Sequence, residues 1–246
     1  MRYLIASDIH GNWEALQAVL EDAAGGYDRV LSCGDLVGYG AEPNCVVDWA
    51  REQVAVVVRG NHDKVCAGIE EMEWFNPTAQ AAVHWTRREL TAANLEYLRG
   101  LPRGPVGVES FQVLHGSPIH EDDYLMGLHD ADGLAGYLGV GVSFFGHTHV
   151  QGGFLWVRRS VRRIPGADAG ETRRVLELEP DLVYLINPGS VGQPRDGDPR
   201  AAYSLYDSEE RVVAHCRVPY DVAEAQRKMR AVGLPERLVM RLERGS

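Results

Sequence analysis

Short apolar runs recur along the chain, and each breaks off at a glycine, aspartate, asparagine or histidine. Residues 3–6 end at Ser7-Asp8, 30–33 at Gly34-Asp35, and 54–58 at Arg59-Gly60-Asn61-His62. Residues 112–114 end at His115-Gly116, 142–145 at Gly146-His147, and 182–186 at Asn187-Pro188-Gly189. Continuous runs rich in Val, Ile and Leu predict strands buried on both faces. Helical patterns lie between them. Residues 12–23 carry Trp13, Leu16, Val19 and Leu20 at helical spacing. Asn76-Pro77 predicts an N-cap and a first-position proline, opening a helix that runs to about Leu90. Alternating strands and helices indicate an α/β sandwich. The polar groups that end the strands would then share one rim, where such sheets bind ligands.

The later chain reads differently. Residues 154–164 and 173–178 alternate apolar and charged positions, as partly exposed antiparallel strands do, with 165–170 as the turn between them. Residues 202–206 and 212–218 predict a second antiparallel pair, and 220–230 and 236–244 two terminal helices. With no repeat, low-complexity tract or linker, residues 1–246 are expected to form a single domain.

Composition narrows the partners. The formal net charge of -10 repels polyanions, which argues against a nucleic-acid polymer. A small phosphate substrate stays compatible, because bound dications dominate the field inside a site. The N-terminus lacks a signal-peptide apolar region, and no stretch is long enough to span a bilayer, so no membrane association is expected. None of the four cysteines forms a C-x-x-C pair, and the default setting is the reducing cytoplasm. Cys33, inside an apolar run, reads as a small buried hydrophobe. Nothing in the pattern specifies an oligomeric state.

Five strand ends carry side chains able to bind metal: Asp8-Ile9-His10, Gly34-Asp35, Gly60-Asn61-His62-Asp63, His115-Gly116 and Gly146-His147-Thr148-His149. Mixed imidazole and carboxylate donors suit Mn, Zn, Fe or Ni better than Ca, which prefers oxygen alone. A carboxylate has two oxygens and can bridge two ions. One such block is weak evidence, but five in order, each after a predicted strand, are specific.

These blocks resemble the signature of the calcineurin-like metallophosphoesterases over residues 8–149, and Asn187-Pro188-Gly189-Ser190 also looks familial. The resemblance implies a four-layer αββα sandwich of two mixed β-sheets flanked by helices. It implies two divalent metal ions, the first held by Asp8, His10, Asp35 and His149, the second by Asp35, Asn61, His115 and His147, with Asp35 bridging. It further implies hydrolysis of a small phosphate ester by metal-activated hydroxide, with His62 beside the ions as a non-ligand general acid. Asp63 either orients His62 or points away from it. The protein Ser/Thr phosphatases carry an Asp-Arg-Gly block after Gly-Asp, whereas here Leu36-Val37-Gly38-Tyr39-Gly40 follows. Gly38 also stands where purple acid phosphatases have a ligand tyrosine. The likeness is greatest to small prokaryotic phosphodiesterase-type members, with a phosphomonoesterase as the alternative. A non-catalytic scaffold is disfavoured by the complete ligand set and His62, and a nuclease by the lack of a basic groove.

Other residues have plainer readings. His84 and His215 read as structural, and His120 and His129 as parts of a solvated loop rather than a lid. Arg158, Arg159, Arg162, Arg163, Arg173 and Arg174 form a basic patch, read as a charged edge that blocks strand aggregation in preference to an anion clamp. Ser190 is a false nucleophile elbow, since Pro188 replaces the first glycine of that motif. Arg195 either binds a substrate phosphate or pairs with an acidic neighbour.

Overall fold

The computed structural model describes residues 1–158 and 160–246; Arg159 of the basic patch lies outside the described residues. Twelve strands and eight helices follow one another along the described chain. The first half runs β1 (Arg2–Ala6), α1 (Trp13–Asp22), β2 (Arg29–Ser32), α2 (Pro43–Gln53), β3 (Val54–Val57), α3 (Asn61–Cys66), α4 (Pro77–Glu89) and α5 (Ala92–Arg99). Then come β4 (Val106–Val108), β5 (Phe111–Val113), α6 (Leu128–Ala131), a 3-10 turn (Leu134–Tyr137), β6 (Val142–Phe144), β7 (Gly152–Val157) and β8 (Ser160–Pro165). The chain closes with β9 (Arg173–Glu177), β10 (Val183–Asn187), β11 (Ala201–Asp207), β12 (Val212–Val218), α7 (Val222–Ala231) and α8 (Glu236–Arg244).

The strands form two mixed six-stranded sheets, ordered β3-β2-β1-β11-β12-β9 and β4-β5-β6-β10-β7-β8. Each sheet has a parallel part, β1, β2 and β3 in the first and β5, β6 and β10 in the second, extended by antiparallel strands. Alternation along the strands separates three apolar layers. Leu4 and Ala6 face the helices that cover the first sheet. Tyr3 and Ile5 face the second sheet, meeting Phe111, Phe144, Tyr184 and Ile186 in a shared core. Leu185 and Phe145 face outward, under α6 and the 3-10 turn, with Leu134 and Trp156. The architecture is therefore the α/β sandwich of two mixed sheets flanked by helices.

Local chemistry explains the helix starts. The Asn12 side chain accepts from the Ala15 amide at 3.1 Å, and Asn76 accepts from Thr78 and Ala79, each at 3.1 Å. Pro77 occupies the first turn of α4, where its missing N–H costs nothing. Helices α2, α3 and α5 add to the sequence expectation.

Two expectations are corrected. Segment 54–58 is not buried on both faces throughout, because β3 is the edge of its sheet and Ala55 is exposed. Segments 154–164 and 173–178 do not pair. The first folds on itself as the β7–β8 hairpin, with Phe154 opposite Arg163. Residues 165–170 begin a crossover to the other sheet, where β9 lies beside β12 and Ala214 is opposite Val175. The reason is geometric: eleven residues in one strand would overrun the five-residue β10, whereas a turn at Arg158, φ 58°, brings β8 back. The arginine patch is thus split between the outer strands of two sheets, consistent with charged edges. Arg174 pairs there with Asp168 and Glu171.

Phe111 sits at the centre of the inter-sheet core, edge-on to Tyr3 at 4.9 Å and to Tyr206 at 5.1 Å. Phe111→Ala is expected to lower the unfolding free energy by about 3–5 kcal/mol, read by urea denaturation. A loss below ~1 kcal/mol would show that the sheets close over the cavity at little cost.

Candidate metal centre

The candidate ligands lie at strand ends, and many have an unusual backbone. Among the described residues, Asp8, His10, Asp35, His147 and His149 all have positive φ, between 52° and 67°. Left-handed backbone is uncommon for residues other than glycine, and aspartate and histidine are among those that tolerate it best. Here it turns each side chain from the strand direction into one space. Interleaved loop hydrogen bonds hold the turns: Asp8 N–H donates to Gly34 O at 2.9 Å, and His10 N–H to Asp35 O at 3.0 Å. Gly60 makes room, since a Cβ there would stand 2.0 Å from Asp35 Oδ1.

Two donor sets result. Asp8, His10, Asp35 and His149 bring one ligand atom each within 4.8 Å of one another, and so do Asp35, His115 and His147. Asp35 belongs to both. The Asn61 Oδ1 lies 3.1 Å from His115 Nε2, which places Asn61 beside the second set. All these side chains are buried.

The hydrogen bonds also set the histidine tautomers. His10 Nδ1 lies 2.9 Å from the Val37 carbonyl, His149 Nδ1 2.6 Å from Gln193 O, and His115 Nδ1 2.8 Å from Cys33 O. A carbonyl can only accept, so each Nδ1 carries a proton and each Nε2 is the nitrogen left to face the site. His147 is reversed: its Nε2 donates to Asp122 O at 3.1 Å, leaving Nδ1 for the site. Backbone-anchored imidazoles of this kind are typical of metal ligands.

The lone pairs of His10 and His149 Nε2 face each other at 3.1 Å, and Asp35 Oδ2 is buried without a hydrogen-bond partner. Neither arrangement is favourable without a cation. Burial pushes Asp8 up to about 7 and lowers His10 to about 4 and His147 to about 3. Burial also opposes a charge on His115, but the Asp35 and Asp8 carboxylates beside it raise it to about 10. A cation would satisfy the facing lone pairs and the unpartnered carboxylate oxygen, and the donor set fits divalent metals.

His62 stands at the edge of the two sets. Its amide donates to Asp35 Oδ1 at 2.8 Å, and its ring lies 4.9 Å from His10, 4.3 Å from Tyr39 and 4.6 Å from Phe75. Nδ1 is buried beside Gly38 with no hydrogen-bond partner, and a Cβ on Gly38 would strike it at 2.3 Å. Burial lowers the His62 pKa well below its usual value. Asp63 faces away from His62. Its carboxylate accepts from the amides of Asp35 and Leu36 at 2.8 Å, Gly60 at 3.0 Å and Val37 at 3.3 Å. It supports the Asp35 loop and does not orient the imidazole.

Ser190 Oγ donates to Asp8 O at 2.7 Å, and Asn187 Nδ2 donates to Gly146 O at 2.9 Å, so this segment braces two ligand turns. Arg195 does not pair with its neighbour Asp196, whose carboxylate is engaged by Arg217. His84, His120 and His129 are exposed, and buried His215 meets Ser204 at 2.9 Å, apart from the site. Sequence reasoning missed Tyr39, Phe75 and Tyr124, whose ring lies 3.8 Å from that of His147. Tyr39, between two glycines after a ligand turn, carried a signal; Tyr124 and the Asp122 carbonyl, in a long loop, carried none.

Among the described residues, no helix is long and apolar enough to cross a membrane. A model of the calcineurin-like phosphoesterase superfamily domain matches residues 1–211. An uncharacterized protein of Methanocaldococcus jannaschii is 35% identical over 250 residues, covering 97% of this chain and 96% of its own. A crystal structure of a metallophosphoesterase from Sphaerobacter thermophilus superposes with a TM-score of 0.86 at 38% identity, covering 100% of this chain and 99% of that one. A hypothetical protein from Pyrococcus horikoshii shares the fold with a TM-score of 0.77 at 19% identity, over 100% of this chain and 98% of that one.

Asp63→Asn exchanges an acceptor-only carboxylate for an amide that turns donors toward backbone N–H groups. It is expected to weaken manganese binding roughly 10–100-fold by loosening the Asp35 turn, measured by calorimetry. Wild-type affinity would remove Asp63 from any role in holding the centre.

Proposed function

Given that the chain belongs to the calcineurin-like phosphoesterase superfamily, we propose that it is a dinuclear, metal-dependent phosphodiesterase acting on a small phosphate ester. The observation that carries this reading is the sharing of Asp35 by two buried donor sets. The first site is Asp8, His10, Asp35 and His149; the second is Asp35, Asn61, His115 and His147. Mn, Zn, Fe and Ni all suit these donors. Four free cysteines agree with a cytoplasmic setting, and the three apolar layers suit a single domain over residues 1–246.

When bound, two divalent ions supply Lewis acidity toward phosphoryl oxygens and lower the pKa of the attacking water. The protein's own residues do the rest. Asp35 joins the two sites and is kept in place by the His62 amide and the loop that Asp63 supports. Tyr39 and Phe75 exclude water from one side of His62. With Nδ1 enclosed, the His62 Nε2 is the nitrogen left to face substrate, where it hydrogen-bonds the phosphoryl group and passes a proton to the departing oxygen. Burial opposes charging of this imidazole, and an arriving phosphoryl anion offsets that penalty.

Diesters are favoured over phosphoprotein monoesters because Leu36-Val37-Gly38 follows Gly34-Asp35, so this loop offers no arginine to a dianion. Manganese-loaded protein should hydrolyse bis-nitrophenyl phosphate faster than nitrophenyl monoester, by kcat/KM. Turnover of phosphopeptides without diester activity would reject the reading.

His62→Ala should retain both metals while losing roughly 10²–10⁴ in kcat/KM on alkyl or nucleotide diesters, whose alkoxide leaving groups need a proton. Nitrophenyl esters, with a good leaving group, should lose less. Equal losses would indicate phosphoryl stabilisation in place of acid catalysis, and loss of a metal would make His62 a ligand.

A further inference from the structure

Arg195 is fixed beside the metal centre by its own backbone, whose N–H donates to His149 O at 3.1 Å. Its guanidinium lies 5.7 Å from the centre of the Tyr39 ring, and that ring covers His10 at 4.5 Å and His62 at 4.3 Å. Among the described residues it has no carboxylate partner. Nη2 reaches Gln193 Oε1 at 3.1 Å, and Nε is buried with no hydrogen bond at all. The nearby carboxylates are committed elsewhere, Asp196 to Arg217 and Asp198 to Arg200.

A second arginine comes from the far end of the chain. Helix α8 docks on the Arg195 loop through the Gly197 N–H, which donates to Gly245 O at 2.9 Å. Leu242 of α8 lines a cavity together with His10, Tyr39 and Gln193. The preceding residue, Arg241, is partly buried and makes no ion pair among the described residues. Burial, together with the charge of Arg195, lowers its pKa. Several other arginines meet carboxylates, among them Arg2, Arg59, Arg174, Arg200, Arg217, Arg227 and Arg230. In a chain of net charge -10, Arg195 thus keeps a guanidinium with no carboxylate partner beside the metal centre, and Arg241 carries another on the helix that docks on its loop.

We propose that Arg195 and Arg241 bind a second phosphate of the substrate, next to the phosphate held by the metal ligands. This rests on the phosphodiesterase reading of the same site and narrows its substrate to compounds with two phosphates close together, as in a nucleoside diphosphate unit. Two forked guanidiniums present several N–H groups suited to a multiply charged, three-oxygen phosphate. Tyr39 holds one fork in place without competing as an anion.

The test is calorimetric titration of the full-length, manganese-loaded protein with adenosine 5′-monophosphate and adenosine 5′-diphosphate, with free manganese held constant. The two probes share base and sugar, so their affinity ratio isolates the second phosphate. Wild type should bind the diphosphate about tenfold more tightly, the worth of one or two charge-assisted hydrogen bonds. Arg241→Ala and Arg195→Ala should each bring the ratio close to one, and Arg241→Lys should leave an intermediate value. Equal affinities in wild type, or a tenfold ratio surviving in Arg241→Ala, would overturn the proposal. A ratio lost equally in Arg241→Ala and Arg241→Lys, with a lowered thermal midpoint in both, would assign Arg241 to packing and overturn it too. The titration reads binding and not turnover, so failure of diester hydrolysis would reject the enzymatic reading while leaving this result interpretable.

Discussion

Two carboxylates and four imidazoles converge in a buried space at the ends of the strands, and groups so arranged repel one another unless a cation lies among them. The facing lone pairs of His10 and His149, 3.1 Å apart, and the unpartnered Asp35 Oδ2 show this most directly. Each of the five left-handed ligand residues also costs of the order of 1–3 kcal/mol in backbone strain. Strain of this kind persists only where the surroundings over-determine it. Here the surroundings are backbone amides and carbonyls: Val37, Cys33, Gln193 and Asp122 carbonyls fix four imidazoles, and four amides fix Asp63. These hydrogen bonds to the scaffold hold the candidate ligands in place, which lowers the ordering entropy that metal binding would otherwise cost.

The two sheets make this possible because their parallel strands bring strand ends to one rim. β1, β2 and β3 lead to Asp8, Asp35 and Asn61, while β5 and β6 lead to His115 and His147. Neither sheet alone supplies a complete set for both sites, so the inter-sheet core around Phe111 and Tyr206 is also what sets the distances across the centre. The Asn187–Ser190 turn ties the rims together, with Asn187 bracing the Gly146 turn and Ser190 bracing Asp8.

Around the ligands the wall is uneven in chemistry. Tyr39 and Phe75 enclose His62, and Tyr124 covers His147. The Tyr124 loop is anchored by Arg59 to Glu121 at 2.8 Å, and by buried Lys64 of α3 to Asp122. Asp122 in turn orients His147 through its carbonyl, so the helix that begins with Asn61 and His62 also steadies a ligand of the second set. Arg195 places positive charge on the Tyr39 side, against the acidic sign of the whole chain.

The candidate metal-binding residues were legible because their chemistry is local. An Asp, Asn or His after an apolar strand, with a glycine beside it, is a pattern that survives in one dimension, and its five-fold repetition pointed to the candidate ligands and the family. Core strands and capped helices were legible for the same reason, since Asn12 and Asn76 act on amides two or three residues away. Pairings between distant segments were not. Whether residues 173–178 join the preceding hairpin or cross to β12 depends on which sheet edge is open, and alternation reads alike on either edge. The same holds for Asp63, whose neighbour in sequence is His62 but three of whose four amide partners are 26–28 residues away. Arg241 lies far along the chain from every candidate ligand, and only the docking of α8 on the Arg195 loop brings its helix toward the site. Sequence determined which side chains could bind metal and which faces had to be buried, because both follow from residue type and short periodicity. The tertiary structure alone decided which carbonyl orients each imidazole and which cations remain unpaired, because those contacts form between segments whose separation carries no local signal.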